Sequence, residues 1–325
     1  MSTPLGTFEH ANHAVPRVEH GYCTDDVARV LLATAREPVW DQDIAFLART
    51  SIRFLEAAQS PNGLFRNRRR SSGSWHGPST SDDWWGRALW ALGTTMARTS
   101  DGEIRDAAVR MFARGAQARS MWPRSMAFAV FGCAEVLGVE PANEGARRLI
   151  DHAVSVLDRP EQGNAWRWSE ERLTYANAAL PEAMMAAGTI VGNDQLVRTG
   201  LRQLRWLLGA ETRRGHLSVT PTCGRGPESD GPIFDQQPIE VAAMSDACVR
   251  AFELTSDSDW LLGHELAVQW FTGHNDAAAP MYDPLTGGGY DGLTANGPNL
   301  NQGAESSIAL LTTLQHARRF ERADS

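Results

Sequence analysis

Ser81-Asp82-Asp83-Trp84-Trp85-Gly86-Arg87-Ala88-Leu89-Trp90-Ala91-Leu92-Gly93 is the stretch whose reading decides the fold. A serine or aspartate ahead of an apolar run marks a helix start, and Gly93 reads as its stop. Two adjacent carboxylates therefore sit at a helix N-terminus, where the macrodipole favours their ionised form. Behind them only Arg87 interrupts the apolar body, so the helix is predicted to be buried nearly all round. A buried helix with acids and indoles at one end predicts the floor of a pocket.

Working outward, the same kind of helix recurs. Apolar helices are predicted to begin at Thr24-Asp25-Asp26, at Pro123-Arg124-Ser125, near Pro181-Glu182, at Pro238-Ile239-Glu240 and at Ala304-Glu305. Between them lie amphipathic helices over about 41–58, 103–119, 144–157, 194–208 and 257–271, with charges spaced around apolar faces. Anchored on Asp26, Asp83, Ser125, Glu182, Glu240 and Glu305, the apolar helices return at intervals of 57, 42, 57, 58 and 65 residues. A repeat on this scale predicts a helical array. Six buried inner helices alternating with outer ones make an all-α (α/α)6 toroid, one outer helix short because residues 1–23 read as an extended, Pro-broken lead-in. No linker or charge run divides the chain, so residues 1–325 are read as one domain.

Loop length says where function lies. Connections from apolar to amphipathic helices are short, whereas 59–80, 158–174, 209–233 and 272–300 are long. The long loops all precede inner helices, and function concentrates on loops held by a rigid scaffold. That face collects Asp25, Asp26, Asp82, Asp83, Glu182, Asp235, Glu240 and Glu305 beside Tyr22, Trp84, Trp85, Trp122, Tyr175 and Phe234. Gln236 and Gln237 add amides. Indoles stack on sugar C–H faces, carboxylates and amides bind hydroxyls, and two carboxyls can flank a glycosidic bond as acid and base or nucleophile. Each acid taken alone also reads as a helix cap. Arg124-Ser125, which stands where the other repeats have acids, reads as an anion site or as a pair for a neighbour. Trp40, Trp206, Trp260 and Trp270, on or beside amphipathic helices, read as packing residues. The Arg66–Arg70 run reads as a solvated loop or as a grip on an anionic substrate.

Composition narrows the classes. The 325 residues are 42% hydrophobic and 22% charged, ordinary for a soluble globular protein, with eleven tryptophans against four tyrosines. A net charge of -8 without an extended basic patch argues against nucleic acid as a partner. Apolar runs are too short to span a bilayer, and the N-terminus lacks the basic start and apolar core of a secretion signal, so a cytoplasmic location is expected. Cys23, Cys133, Cys223 and Cys248 form no CxxC pair, and His10, His13, His20 and Cys23 match no zinc spacing. Neither metal nor cofactor is expected. The Gly287–Gly289 run lacks the Lys-Ser/Thr of a phosphate loop.

Five stretches carry a resemblance. His20-Gly21-Tyr22-Cys23-Thr24-Asp25-Asp26, Gly86–Gly93, Arg172-Leu173-Thr174-Tyr175, Phe234-Asp235-Gln236-Gln237-Pro238-Ile239-Glu240 and Asn301-Gln302-Gly303-Ala304-Glu305-Ser306 resemble a bacterial family of six-hairpin, glycosidase-like proteins. The resemblance spans nearly the whole chain. It implies an (α/α)6 toroid, and a glycosyltransferase as a fused, adjacent or partner protein. Asp-Asp before Trp-Trp is also similar to bacterial α-1,6-mannanases, in which adjacent aspartates are catalytic. The chain departs from its relatives at Ala176-Asn177, where they carry an acid after the tyrosine.

The expected activity is hydrolysis of an oligosaccharide or polysaccharide. Asp83 is the candidate general acid, Glu240 its partner base or nucleophile, and Glu305 next in line. Asp25, Asp26, Asp82 and Glu182 are expected to bind hydroxyls or tune those acids. Asp235, Gln236, Gln237, Trp84, Trp85, Tyr175 and Tyr290 are expected to line subsites. A glycan-binding module partnering a glycosyltransferase is the alternative. A sugar epimerase is the weaker one, because it needs histidine bases and no inner-helix start after the first carries a histidine.

Overall fold

The computed structural model describes residues 1–163 and 165–323. The helices are α1 (Thr24–Arg36), α2 (Gln42–Ala58), α3 (Asp83–Arg98), α4 (Gly102–Gly115), α5 (Pro123–Val139), α6 (Glu144–Leu157), α7 (Ala179–Val191), α8 (Asp194–Ala210), α9 (Pro238–Thr255), α10 (Asp259–Phe271) and α11 (Ala304–Ala323). Each expected helix is present. None is long and apolar enough to cross a membrane among the described residues.

The chain forms two compact units. Unit 1 holds Met1–Ala11, Val15–Leu157 and Ala186–Asp194, and unit 2 holds Asn12–Ala14, Asp158–Met185 and Gln195–Ser325. In unit 1, α3 packs between α1 and α5, while α2, α4 and α6 cover this inner row. The inner row owes its closeness to glycine. A Cβ on Gly86 would fall 2.2 Å from the Ser125 carbonyl oxygen, and one on Gly132 would fall 2.1 Å from that of Leu89. Gly93 has the same role against Gly132. It does not end the helix as its sequence position suggests, because α3 continues to Arg98. A missing side chain here serves helix-to-helix approach, not termination.

Residues expected to be loop or lead-in contain strands. The first sixteen residues fold as two short two-stranded hairpins. Tyr22–Cys23, Phe65–Arg69 and Trp75–Thr80 form an antiparallel three-stranded sheet, with Tyr22 opposite Arg69 and Phe65 opposite Thr80. One strand runs straight into α1 and another ends two residues before Asp82-Asp83, so the sheet ties the starts of α1 and α3 together. In unit 2, α9 packs against α10 and α11. Its long loops are knit by bridges Leu173 to Arg225, Pro221 to Gln236, and Gln236 to Leu293.

Candidate active site

In unit 1, four acids meet at the starts of α1 and α3. The α1 cap is Cys23, whose sulfur accepts the Asp26 N–H at 3.4 Å and whose thiol donates to Asp26 Oδ2 at 3.1 Å. Burial, then the nearby Asp26, Glu9 and Asp25 carboxylates, push that thiol well above its ordinary range. Thr24, the expected cap, instead donates its hydroxyl to the Arg66 carbonyl at 2.6 Å. Asp26 is buried and ion-paired to Arg29 at 2.9 Å, so it faces the interior and not a sugar hydroxyl. Asp25 is half-buried and lies between two guanidiniums, 2.6 Å from Arg29 and 2.8 Å from Arg87. Asp82 caps α3 in extended conformation, its carboxylate accepting the Thr80 hydroxyl at 2.6 Å.

Asp83 differs. It is half-buried in the first turn of α3, and among the described residues none donates a hydrogen bond to its carboxyl. Burial raises its pKa above the ordinary carboxylate value. Asp25 and Asp82 push the same way, whereas Arg87 and Arg124 pull down, and the balance stays upward. Desolvation thus outweighs the two guanidiniums, which favour the charged form. Ser125 donates to the Ser81 carbonyl at 2.7 Å, and Arg124 is buried facing Asp83, so this pair serves its neighbours.

The two adjacent tryptophans part company. Trp84 is half-buried, its indole N–H on the Phe65 carbonyl at 2.8 Å. Trp85 is 0% exposed and donates to the Gly115 carbonyl, so it is a core residue and lines no subsite. Trp122, at the start of α5, is exposed by 54%. The arginine run is largely structural: Arg68 pairs with Glu9, and Arg69 donates to Leu5 and Gly73 carbonyls and lies over the Phe54 and Trp75 rings.

In unit 2, Glu240 is buried at the start of α9 and used as a clamp. Its carboxylate accepts the backbone N–H groups of Ala176 and Asn177 and the Asn177 side-chain amide at 3.2 Å. Three donors on one buried carboxylate describe a group that anchors the 174–177 turn, not the base expected from sequence. Glu182 is also buried, ion-paired to Arg250 at 2.9 Å. Gln236, expected in a subsite, is 0% exposed and donates to Asp276 at 2.7 Å. Asp235 and Tyr175 are exposed, and Gln237, Tyr290 and Glu305 half-buried. These five remain at the surface of their loops or helix starts.

Sequence reading missed a half-buried pair beside Gln236. His216 Nε2 lies 3.0 Å from Asp276 Oδ1. Burial opposes the Asp276 charge, but hydrogen bonds from Ser218, His216 and Gln236 outweigh it and hold the carboxyl below its usual range. No spacing in the chain signals a pair sixty residues apart. The Asp25–Arg29 contact, by contrast, was available as an i, i+4 pair on one helix.

No protein-family profile and no curated protein sequence matches the chain. Solved structures do. A sugar epimerase from a ruminal bacterium superposes with a TM-score of 0.73 at 11% identity, over 97% of this chain and 93% of that one. Cellobiose 2-epimerase from Bacillus thermoamylovorans gives 0.70 at 12% identity, over 98% and 94%. A GH76 α-mannanase of Bacteroides thetaiotaomicron gives 0.61 at 10% identity, over 93% and 87%. The chain therefore has the all-α fold of the α/α toroid enzymes. At these identities the likeness defines the fold and not the reaction.

Proposed function

We propose that this protein is a carbohydrate-active enzyme, a glycoside hydrolase acting on an oligosaccharide or polysaccharide, with Asp83 as general acid. One observation carries the reading. Among Asp25, Asp26, Asp82 and Asp83, Asp83 combines a raised pKa with a carboxyl that accepts no hydrogen bond among the described residues. A carboxyl whose protonated form is favoured can give its proton to a glycosidic oxygen as the C–O bond breaks, while water supplies the new hydroxyl. Exposed Trp122 and half-buried Trp84 offer apolar faces for sugar rings. Fold neighbours titled as an α-mannanase and as a cellulase in complex with cellobiose agree with this class.

A sugar epimerase is the second reading, favoured by the His216–Asp276 pair. A carboxylate at Nε2 holds that nitrogen as the donor and leaves Nδ1 the basic one. Several fold neighbours are titled epimerases or an isomerase.

Incubation with a panel of mannosides, glucosides, galactosides and arabinosides, read for released reducing sugar, tests the first reading. Turnover that is lost in Asp83→Asn supports it. Reducing disaccharides in heavy water test the second, since epimerisation beside a carbonyl exchanges a substrate C–H for deuterium. Exchange that vanishes in His216→Asn, without hydrolysis, would replace the first reading by the second. Sugar binding with neither reaction would leave a glycan-binding module, for which a glycosyltransferase is the partner to try.

A further inference from the structure

Arg87 is the lone charged residue between Asp83 and Arg98 of α3, one helical turn after Asp83. It is 6% exposed. Its Nε lies 2.8 Å from Asp25 Oδ1, and its guanidinium carbon sits 3.8 Å from the centre of the Phe128 ring. The guanidinium is thus gripped from α1 by a charge and from α5 by an aromatic face, an arrangement that suits arginine and fixes its plane. Arg29 pairs with both Asp25 at 2.6 Å and Asp26 at 2.9 Å, so Arg87 supplies the second positive charge that the two carboxylates call for. Two carboxylates and two guanidiniums form a charge-balanced set. Asp83 stands beside this set and outside it.

We propose that Arg87 is a positioning residue for Asp83: held between Asp25 and Phe128, it fixes the charge the candidate acid faces without touching substrate. The inference deepens the hydrolase reading and rests on it for the word acid. The charged groups that face Asp83 are Arg87 and Asp82 on α3, Asp25 on α1 and Arg124 on α5. Arg87 and Asp25 act on it in opposite senses. Removing the guanidinium favours the protonated form of Asp83, and removing the Asp25 charge favours the ionised form. A purely structural ion pair predicts no such opposition, since losing either partner would loosen the same contact.

The experiment titrates Asp83 directly in the full chain labelled with 13C at aspartate side-chain carboxyls, the Asp83 signal being identified by its loss in Asp83→Asn. Arg87→Gln is expected to move the midpoint up, and Asp25→Asn to move it down, each by on the order of one pH unit. Arg87→Lys, which keeps the charge, should leave it close to wild type, and the double variant should fall between the two single ones. If glycoside turnover is present, the alkaline limb of its pH profile should shift with the same signs. Midpoints that stay put, or that move the same way in Arg87→Gln and Asp25→Asn, overturn the proposal. If Arg87→Gln does not fold, Arg87→Lys and Asp25→Asn decide: a lysine variant that shifts like a charge loss also overturns it. Because the titration needs no substrate, opposite shifts without any turnover would remove the hydrolase reading alone.

Discussion

Asp83 sits where two effects oppose each other, burial against the Arg87 and Arg124 guanidiniums, and burial prevails. The sign of its pH dependence follows. An acid catalyst works while protonated, so activity should be retained below its raised pKa and fall as pH climbs through it. Asp83→Asn should lower turnover by on the order of a thousandfold with much smaller change in sugar affinity, measured by initial rates and calorimetry. Position alone marked Asp83 in the sequence, and the same logic marked Glu240, which is consumed by backbone N–H groups some sixty residues earlier. The two look alike in one dimension because what separates them is the partner, and the Ala176-Asn177 turn carries no signature of where it will dock. Asn177→Ala should therefore act through Glu240. Loss of a donor to a buried carboxylate costs about 1–3 kcal/mol, read as a lower denaturant midpoint.

At the level of elements, the contact of α3 with α5 was hidden in plain view. Gly93 reads from sequence as a helix stop, whereas it, Gly86 and Gly132 each remove a side chain where another helix's backbone arrives. A methyl group at Gly132 has only backbone to displace, the Leu89 carbonyl at 2.1 Å. Gly132→Ala should destabilise by about 3 kcal/mol or prevent folding, against the small gain expected for alanine in an open helix. Thermal unfolding of Gly132→Ala beside Gly138→Ala, where a Cβ meets nothing within 4 Å, is the measurement. Helix positions themselves were legible because the apolar period and the acid or proline starts agreed. The hairpins were not, since Arg66–Arg70 alternates weakly and its partner strand includes Gly77 and Pro78.

On the scale of the molecule, acid sensitivity is written into unit 2. His264 on α10 is buried, shares a 2.9 Å hydrogen bond with Ser245, and faces His316, Asp246 and Arg319. Burial first, then His316 and Arg319, lower its pKa from 6.5 to about 4, with Asp246 opposing. The folded state thus binds fewer protons than the unfolded one between those values. Its contribution is complete above pH 6.5 and is lost as pH falls toward 4, up to about 3 kcal/mol. Denaturant melts at pH 7.5 and pH 5 should show this loss in wild type and a smaller one in His264→Gln. The alternation of helices across the chain could be read from sequence, but this cluster could not. Ser245, Asp246, His264 and His316 meet only once three helices have packed.

The three-stranded sheet beside α1 and α3 has one more implication. Its strands fix the acids from the hairpin's base, whereas the tip at Arg70–Ser74 is mostly exposed and leaves Asp83 untouched. Geometry and outreach are therefore separable. A tip lengthened, recharged or replaced would leave the starts of α1 and α3 where the paired strands hold them.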